Sequence, residues 1–527
     1  MSDVARVRRM SKLGTRPFLL HHRSSPSNFL SLLQRRNSYG RIPTTGVSST
    51  FLIGIDSELN RKHRPSEPLE IPFGLEFGFR PESISFEPDG ETEESRWGRK
   101  DRETTAMDAT KATMTSLRWD VKGMSREEMH VFCQRKLRWK PNRTDALWKA
   151  MYGPPYVRHV DEASSYVAKH ALVELSETGA DLRGGLSKAR VERAASDGTR
   201  KLLFDVGADS NDLPEHERSV VEAVLIPTPK RTTLCVSSQV GCAMKCQFCR
   251  TGQMGLQQNL DAAQIVEQLV AARRACFHDH NRMFEQAETS STSQGKEQEM
   301  PHHAHVSNVV FMGMGEPLQN VDAVVKAVDI MTTSPGLQIS PNKVTVSTCG
   351  LVPQMETFLK SCSRAQLALS LHATTDDVRS LIMPINQVHP LHDLVGLLEA
   401  AFPKHPPGSS ENNLGAPSGS LPSESYGSRQ DRRHVCIEYV MLRGVNDTKE
   451  DAFRLVQLLR NIRCKINLIE FNAYPTAIFE ASHPEVTEEF MHTLKDAGLV
   501  ATLRRSRGDD AMAACGQLGQ VKTPVAA

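Results

Sequence analysis

The sequence has no long hydrophobic run and almost no net charge. No apolar stretch approaches the roughly 18 residues of a membrane-spanning helix, so we expect no membrane partner. Lys and Arg number 64 against 62 Asp and Glu, which gives a formal net charge of +2 and no global basic field of the kind that attracts nucleic acid. Any RNA-binding surface must therefore come from local clusters of basic residues.

The cysteines do not have the pattern of a secreted disulfide framework. There are 11, an odd number, and three of them are spaced C-x3-C-x2-C at Cys242, Cys246 and Cys249. This usage favours a reducing compartment. Zinc usually takes four ligands, and no fourth Cys or His lies beside the triplet. Three thiolates can hold three irons of a 4Fe-4S cluster and leave the fourth iron open to a small molecule. Three unconnected core thiols are the alternative.

The N-terminal part of the chain offers little that could form a core. Residues 1–55 contain nine Arg and Lys, nine Ser and a single acid, Asp3, which is the composition of an organellar transit peptide. Disorder alone would also explain this composition. Residues 56–112 stay polar, so we predict a disordered extension over 1–112. The expected location is the cytoplasm, or a mitochondrion or plastid if the first segment directs import.

Residues 113–210 are predicted to form a small helical accessory domain with a linker. Apolar residues recur there at helical spacing, and Ser125 with Glu128 forms a predicted capping box. The domain also carries basic residues that could contact RNA phosphates, with an ordinary solvated face as the alternative: Arg135, Lys136, Arg138, Lys140, Arg143 and Lys149.

From about residue 211 onward, short apolar runs alternate with amphipathic stretches. Strands are predicted at 233–237, 306–312, 343–347, 366–371, 434–441 and 465–471, and helices at 262–275, 321–331, 451–461 and 484–497. This alternation predicts an α/β fold in which a parallel sheet forms a barrel or partial barrel, with reactive groups at the carboxyl ends of the strands. Polar segments at 278–305 and 403–432 are predicted to be surface inserts.

Two separate runs resemble one enzyme family. The run from Arg231 through Cys235 and the cysteine triplet to Gly252, and the run Arg505-Ser-Arg-Gly-Asp-Asp-Ala-Met-Ala-Ala-Cys515-Gly-Gln-Leu, are similar to the RlmN type of RNA adenine C2-methyltransferase. This family belongs to the radical S-adenosylmethionine (SAM) superfamily, and the resemblance covers roughly residues 113–520. It implies a partial (β/α)6 barrel, an N-terminal helical RNA-binding domain, and a 4Fe-4S cluster whose open iron binds SAM.

The resemblance also implies a set of SAM contacts at strand ends. The run Phe311-Met-Gly-Met-Gly315-Glu316-Pro317 matches the Gly-Glu-Pro motif of the family, where glycines admit close approach of backbone. Each of the other matching residues could instead be an ordinary cap or turn residue. The SAM contacts implied by the resemblance are Gly315, Glu316, Ser347, Ser370, Leu371, His372 and Asn472.

The mechanism implied by the resemblance uses two further cysteines and one acid. Cys515 takes a methyl group from one SAM, and a second SAM, reduced by the cluster, yields a radical that removes hydrogen from that S-methyl group. The resulting carbon radical adds to adenine C2, Glu222 removes the proton from C2, and Cys235 attacks the sulfur of Cys515 to release the RNA. A disulfide remains, and an external reductant must reduce it.

These residues predict an RNA adenine C2-methyltransferase. The implied substrates are large-subunit rRNA and also tRNA, and the implied electron donor is a flavodoxin or ferredoxin system, with the enzyme acting as a monomer. Arg504, Arg505 and Arg507 are predicted to pair with phosphates on a mobile tail. The alternatives are methylation at adenine C8 by the same chemistry, and a non-catalytic iron-sulfur RNA-binding protein. Cys349 departs from the family, which usually has Ser at that position.

Overall fold

The computed structural model describes residues 119–187, 189–207, 218–289, 305–362, 364–404 and 434–519. The predicted N-terminal extension and most of the second predicted insert lie outside these ranges. Of the first predicted insert, residues 278–289 are described, and they continue a helix that the sequence pattern ended at 275.

The N-terminal part of the described chain is helical. Strand β1 (Trp119–Asp120) pairs in parallel with β2 (Ala180–Asp181) on either side of helices α1 (Arg126–Leu137), α2 (Pro141–Tyr152) and α3 (Lys169–Glu177). The predicted capping box is confirmed, because Ser125 Oγ accepts from the Glu128 amide while the Glu128 carboxylate accepts from the Ser125 amide. Pro141 opens α2 at a position where its missing amide hydrogen costs nothing.

The remaining strands build a ten-stranded sheet and a small hairpin. Strands β3 to β6 of the sheet are antiparallel neighbours, while β6 and β9 to β14 run parallel in the order in which they occur in the chain. The pair β7–β8 stands apart as an antiparallel hairpin. The strands are β3 (Arg190–Ala194), β4 (Arg200–Asp205), β5 (Val220–Thr228), β6 (Arg231–Cys235), β7 (Gln239–Cys242), β8 (Gly255–Asn259), β9 (Val306–Phe311), β10 (Val344–Thr348), β11 (Gln366–Ser370), β12 (Val435–Met441), β13 (Cys464–Glu470) and β14 (Val500–Arg504).

Helices separate the consecutive parallel strands. They are α4 (Arg250–Met254), which follows the cysteine triplet, then α5 (Ala262–Thr289), α6 (Val321–Thr332), α7 (Val352–Ser361), α8 (Asp376–Ile382), α9 (Leu391–Ala401), α10 (Lys449–Leu459) and α11 (Pro484–Asp496). Each crossover returns the chain to the same end of the sheet, so the carboxyl ends of all parallel strands meet at one edge. The predicted α/β architecture with a partial barrel is confirmed.

Buried aliphatic and aromatic side chains from both faces of the sheet form the core. The central strands supply Val309, Val346, Leu369, Ile437 and Leu468, all fully enclosed. Near-continuous apolar strands of this kind are expected where helices cover a parallel sheet. The packed core therefore holds in place the parallel strands, whose carboxyl ends meet at one edge of the sheet.

A buried ionic contact joins the helical region to the barrel. The ammonium of Lys122 lies 2.5 Å from one carboxylate oxygen of Glu267 on α5, and the guanidinium of Arg158 lies 2.6 Å from the other. Because Lys122 and Glu267 are wholly buried, neither charge can be solvated if its partner is lost. Nearby, the Trp148 indole donates to the Pro335 carbonyl at 2.6 Å. The two regions thus share an interior.

None of the helices in the described parts of the chain has the length and apolar character that crossing a bilayer requires.

Candidate active site

The carboxyl ends of the parallel strands surround a cavity of about 150 Å³, called here the first cavity. The structure brings to its wall most of the residues predicted from the sequence. These are Cys242, Cys246, Cys249, Gly315, Glu316, Ser347, Ser370, His372, Asn472 and Cys515. Leu371, Cys235 and Glu222 do not line it.

The cysteine triplet occupies one side of the first cavity. Cys242 ends β7, Cys246 lies in the following loop, and Cys249 immediately precedes α4. The pKa of Cys242 is raised to about 12, mainly by burial and also by the neighbouring Cys249. Burial also raises the pKa of Cys246, as do Cys249 and Cys242. The three thiols would repel one another as thiolates, so a cationic metal centre is what would hold them ionised together.

The arrangement of the thiols suits a cluster better than a single ion. Within the described ranges, no three His, Cys, Asp or Glu side chains are placed to hold a metal ion. In an iron-sulfur cubane each thiolate binds a different iron, so three thiolates need not converge on one point. The guanidinium of Arg379, fully buried and bonded to the carbonyls of Cys349 and Leu371, supplies positive charge that opposes the high pKa of Cys246.

The glycine-rich turn after β9 is packed against its own chain. Gly315 has φ +102°, and a Cβ there would lie 2.6 Å from the Cβ of Gln239; one at Gly313 would lie 2.8 Å from the Val236 carbonyl oxygen. The glycines are therefore needed to fit the turn against the segment after β6. Glu316 then accepts from the amides of Leu318 and Cys349 at 3.0 and 2.8 Å, which ties the turn to the end of β10. Burial raises the pKa of its carboxyl group.

The predicted SAM contacts on the later strands differ in what they face. Ser347 on β10 and Ser370 on the neighbouring strand β11 both line the first cavity. His372 is buried, and burial lowers the pKa of its imidazole to about 3. Because its Nδ1 accepts from the Val440 amide at 3.0 Å, the ring is neutral with its proton on Nε2. Leu371 lies beneath the wall, where only its backbone bonds to Glu438 and Arg379.

A second cavity of about 560 Å³ extends along the inside of the barrel from the amino ends of the strands. Cys235, at the end of β6, lines only this second cavity, whereas Cys515 lines both. The pKa of the Cys235 thiol is raised to about 12, mainly by burial and also by the neighbouring Cys515. All 11 cysteines are free thiols. The two predicted catalytic cysteines are thus neighbours in the reduced state.

Basic and amide side chains surround the second cavity. This composition is suited to a phosphate backbone and a base edge. The residues are Arg231, Asn308, Asn342, Lys343, Lys465, Asn467, Arg505 and Arg507.

The predicted base, Glu222, lines neither cavity. It is buried on β5, where the Lys201 ammonium lies 3.6 Å from Glu222 Oε2 and 3.4 Å from the Met512 carbonyl oxygen. Val224 and Ile226, on the same face of β5, do line the second cavity. Glu222 therefore lies beside this cavity, behind the segment that leads to Cys515.

Several hydrogen bonds anchor the segment around Cys515. The Gly516 carbonyl accepts from the Arg250 amide at 2.8 Å, and the Leu518 carbonyl accepts from Thr251 Oγ1 at 2.7 Å. The side-chain amide of Gln517 donates to the Ala473 carbonyl at 2.8 Å, and the side-chain amide of Asn472 donates to the Cys515 carbonyl at 2.9 Å. The segment predicted to be a mobile tail is thus tied to α4 and to the end of β13.

A scan against models of protein families gives no match. Curated relatives do match. The chain is 43% identical over 330 residues to the dual-specificity RNA methyltransferase RlmN of Geotalea uraniireducens, covering 63% of this chain and 78% of the relative. It belongs to the RlmN family. The RlmN of Methylobacterium radiotolerans is 40% identical over 353 residues, covering 67% of this chain and 74% of the relative. The crystal structure of a radical SAM methyltransferase from Sphaerobacter thermophilus, 30% identical, superposes with a TM-score of 0.60 over 76% of this chain and 98% of that one.

Membership of the RlmN family implies SAM and an iron-sulfur cluster as cofactors, and the donor set fits both. The three buried thiols are soft ligands for iron. The neutral His372, the serines and the carbonyl-rich turn offer hydrogen-bond partners for a polar ligand in the same cavity.

Sequence reasoning missed one residue of this RlmN-family site, Glu438, and did not predict where a second, Arg504, would lie. Glu438, in the middle of β12, and Arg504, at the end of β14, line both cavities. Arg504 was predicted to pair with phosphate, which stays a prediction; in the structure its guanidinium lies 3.4 Å from Met312 Sδ. An acid in an otherwise apolar strand was the available signal for Glu438.

Proposed function

We propose that this protein methylates C2 of an adenine in RNA, with Cys515 as the methyl carrier and Cys235 as the residue that releases the product. The observation that carries the proposal is the position of Cys515 in the wall shared by both cavities, beside Cys235. One sulfur can then face SAM on one side and the target base on the other.

Cys242, Cys246 and Cys249 would hold the cluster, with SAM against Gly315, Ser347, Ser370, His372 and Asn472. When bound, the cluster and SAM supply a methyl group and the radical that activates it. The thiolate of Cys515 accepts the methyl group by displacement, which requires a nucleophilic sulfur. The positive charge of Arg504 opposes the effect of burial, which raises the pKa of Cys515.

Release of the product requires a base and a second thiol. We retain Glu222 as the proton acceptor because Val224 and Ile226, which share its face of β5, line the second cavity. Cys235 forms an S–S bond with Cys515 while the bond from the Cys515 sulfur to the methylene carbon breaks, and the thiol proton of Cys235 goes to that carbon to complete the methyl group. The unpaired electron left by the radical addition passes to the electron-donor system. An external reductant, through a flavodoxin or ferredoxin system, restores both thiols.

The substrate we propose is large-subunit rRNA, with tRNA as a second substrate. The basic rim of the second cavity and the exposed basic residues of α1 and α2 support an RNA partner. A base within a duplex could not reach Cys515, so the target adenine must be unstacked. We propose a monomer in the cytoplasm, or in an organelle if residues 1–55 direct import.

Mass spectrometry of digested RNA tests the function. RNA treated with cluster-loaded enzyme, SAM and reductant should contain 2-methyladenosine, and the Cys515→Ala variant should produce none. Cys464→Ala, a cysteine that lines neither cavity, is the matched control and should retain activity. Methylated product from Cys515→Ala would refute the carrier role, and 8-methyladenosine from the wild type would move the reaction to C8.

A further inference from the structure

Glu438 presents an unsatisfied carboxylate oxygen where the two cavities meet. The residue is 3% exposed. Its Oε1 accepts from Asn467 Nδ2 at 2.9 Å and from the Cys436 thiol at 3.3 Å. Its Oε2 is buried and has no hydrogen-bond partner among the described residues. A buried acceptor without a donor is costly, so such a group in a cavity wall points to a ligand.

A second polar group stands opposite this oxygen. Nη1 of Arg504 lies 4.0 Å from Glu438 Oε2, too far for a hydrogen bond. Both residues line the two cavities, and this acceptor and this donor lie side by side without satisfying each other. Thr502 Oγ1 donates to Asn467 Oδ1 at 2.7 Å and so fixes the amide that holds Glu438 in place.

An acceptor beside a donor complements one edge of adenine. The exocyclic N6 donates and the adjacent ring nitrogen N1 accepts, whereas guanine presents O6 and a protonated N1 in the opposite order. Building on the proposed function, we propose that Glu438 and Arg504 recognise the N6–N1 edge of the target adenine. Glu438 accepts from N6 and Arg504 donates to N1, so this pair determines base specificity.

The proposal also accounts for where the reaction occurs. C2 is bonded to N1, so a base whose N1 faces Arg504 presents C2 close to that guanidinium. Arg504 lines the same two cavities as Cys515, and its charge acts on the thiols of Cys515 and Cys235. Recognition of N6 and N1 thus directs C2 toward the carrier sulfur.

The variant Glu438→Gln tests the proposal because the direction of its effect on base preference can be predicted. Asn467 and Cys436 both donate to the Oε1 position, so the new amide should place its oxygen there and its NH2 group at the position of Oε2. That NH2 group would face the N6 amino group of adenine, donor against donor. The probe is the RNA segment in which the wild type forms 2-methyladenosine, synthesised with adenosine or with purine riboside, which lacks N6, at the target.

The wild type should methylate the adenosine RNA about tenfold to a hundredfold faster than the purine riboside RNA. Glu438→Gln should lose this preference or reverse it. The comparison of ratios cancels the difference in intrinsic reactivity between the two bases. Glu356→Gln, which removes one exposed charge from α7, is the control and should keep the preference of the wild type.

Three results are decisive. An unchanged preference for adenosine in Glu438→Gln would overturn the proposal. Slower methylation of Cys515 by SAM in Glu438→Gln without RNA, measured from protein mass, would also overturn it, because Glu438 would then act on the reaction with SAM rather than on the base. If Glu438→Gln does not fold, Arg504→Met is tested in the same way, with adenosine RNA and RNA that carries 1-deazaadenosine, which lacks N1, at the target. Arg504→Met should lose the preference of the wild type for adenosine, and an unchanged preference would overturn the proposal. Failure of the proposed function would appear separately, as absence of methyladenosine with the wild type.

Discussion

At the scale of single residues, the chemistry depends on two sulfur atoms with different surroundings. Cys515 is exposed and lines both cavities, whereas Cys235 is buried and lines only the second. Cys515 can therefore reach both ligands, and Cys235 can reach Cys515 without competing for SAM. The division of roles between carrier and releasing thiol follows from this difference in access.

Cys235→Ala should trap the enzyme on its substrate. The variant can form the bond between Cys515 and the base but has no thiol to break it, so protein covalently bound to RNA should accumulate. Denaturing gels should show a slow band that RNase removes and that the double variant Cys235→Ala/Cys515→Ala lacks. A simple core thiol would instead lose on the order of 1 kcal/mol of stability and form no adduct.

Cys246→Ala should lose the visible absorbance of the cluster and all cleavage of SAM, because two thiolates do not hold a cubane stably. Cys349→Ser is a stringent control, since Cys349 lines the same cavity but is not a predicted ligand. This control should keep its iron and its absorbance. Cleavage of SAM by Cys246→Ala at the wild-type rate would contradict the assignment of the triplet.

At the scale of structural elements, the loop that carries Cys515 is held by Gln517. This side chain is 1% exposed and bonds the Ala473 carbonyl, the Asp509 carboxylate and the Ala514 amide. Gln517→Ala should leave these buried groups without partners, a loss of about 1–3 kcal/mol within the loop. We expect slower methylation of Cys515 with unchanged iron content, measured by protein mass and iron assay.

The exposed Gln457→Ala on α10 is the matched control for this variant, since it shortens the same side chain on the far surface. It should methylate Cys515 at the wild-type rate. Equal rates in Gln517→Ala and Gln457→Ala would show that the loop does not need its anchor.

The sequence predicted six of the seven parallel strands, β6 and β9 to β13, because each is a short apolar run, but it predicted neither β14 nor the order of the strands in the sheet. It did not predict β3 or β4, where Arg and Lys alternate with few apolar residues, as at Arg200 and Lys201. β4 pairs with β5, and β3 pairs with β4, so both strands are stabilised by pairing that leaves no signal within their own residues.

The motifs located the cluster and the turn at Gly315, because their residues are close in sequence. The pair formed by Glu438 and Arg504 escaped prediction because its members come from different strands and meet only across the barrel. Only the folded barrel could show that Arg504 lines both cavities beside Glu438.

At the scale of the whole molecule, the helical region and the barrel meet around acidic groups. The pKa of Asp120 is raised to about 7, mainly by burial and also by the charges of Asp261 and Asp181. The folded protein therefore keeps a proton that the unfolded chain loses above its ordinary pKa of 3.8. Stability from this group is present at low pH and falls as pH rises from about 4 to about 7.

Asp120→Asn should remove this loss, since an amide keeps the acceptor for the Lys122 amide but does not ionise. The variant should be more stable than the wild type by roughly 1–4 kcal/mol at pH 8, and the gain should shrink toward pH 4. Denaturant unfolding at several pH values measures it. Asp322 is an exposed acid that lines the same surface groove as Asp120 and Asp261, and Asp322→Asn should change stability by less than about 0.5 kcal/mol.

The hydrogen bonds from Arg250 and Thr251 to Gly516 and Leu518 place iron supply and thiol chemistry on one continuous piece of structure. Because Cys246 and Cys249, two of the proposed cluster ligands, directly precede α4, protein made without iron would lack a restraint at the start of the helix that supports the loop bearing Cys515. We therefore expect the rate at which an alkylating reagent modifies Cys515 to differ between iron-replete and iron-starved protein.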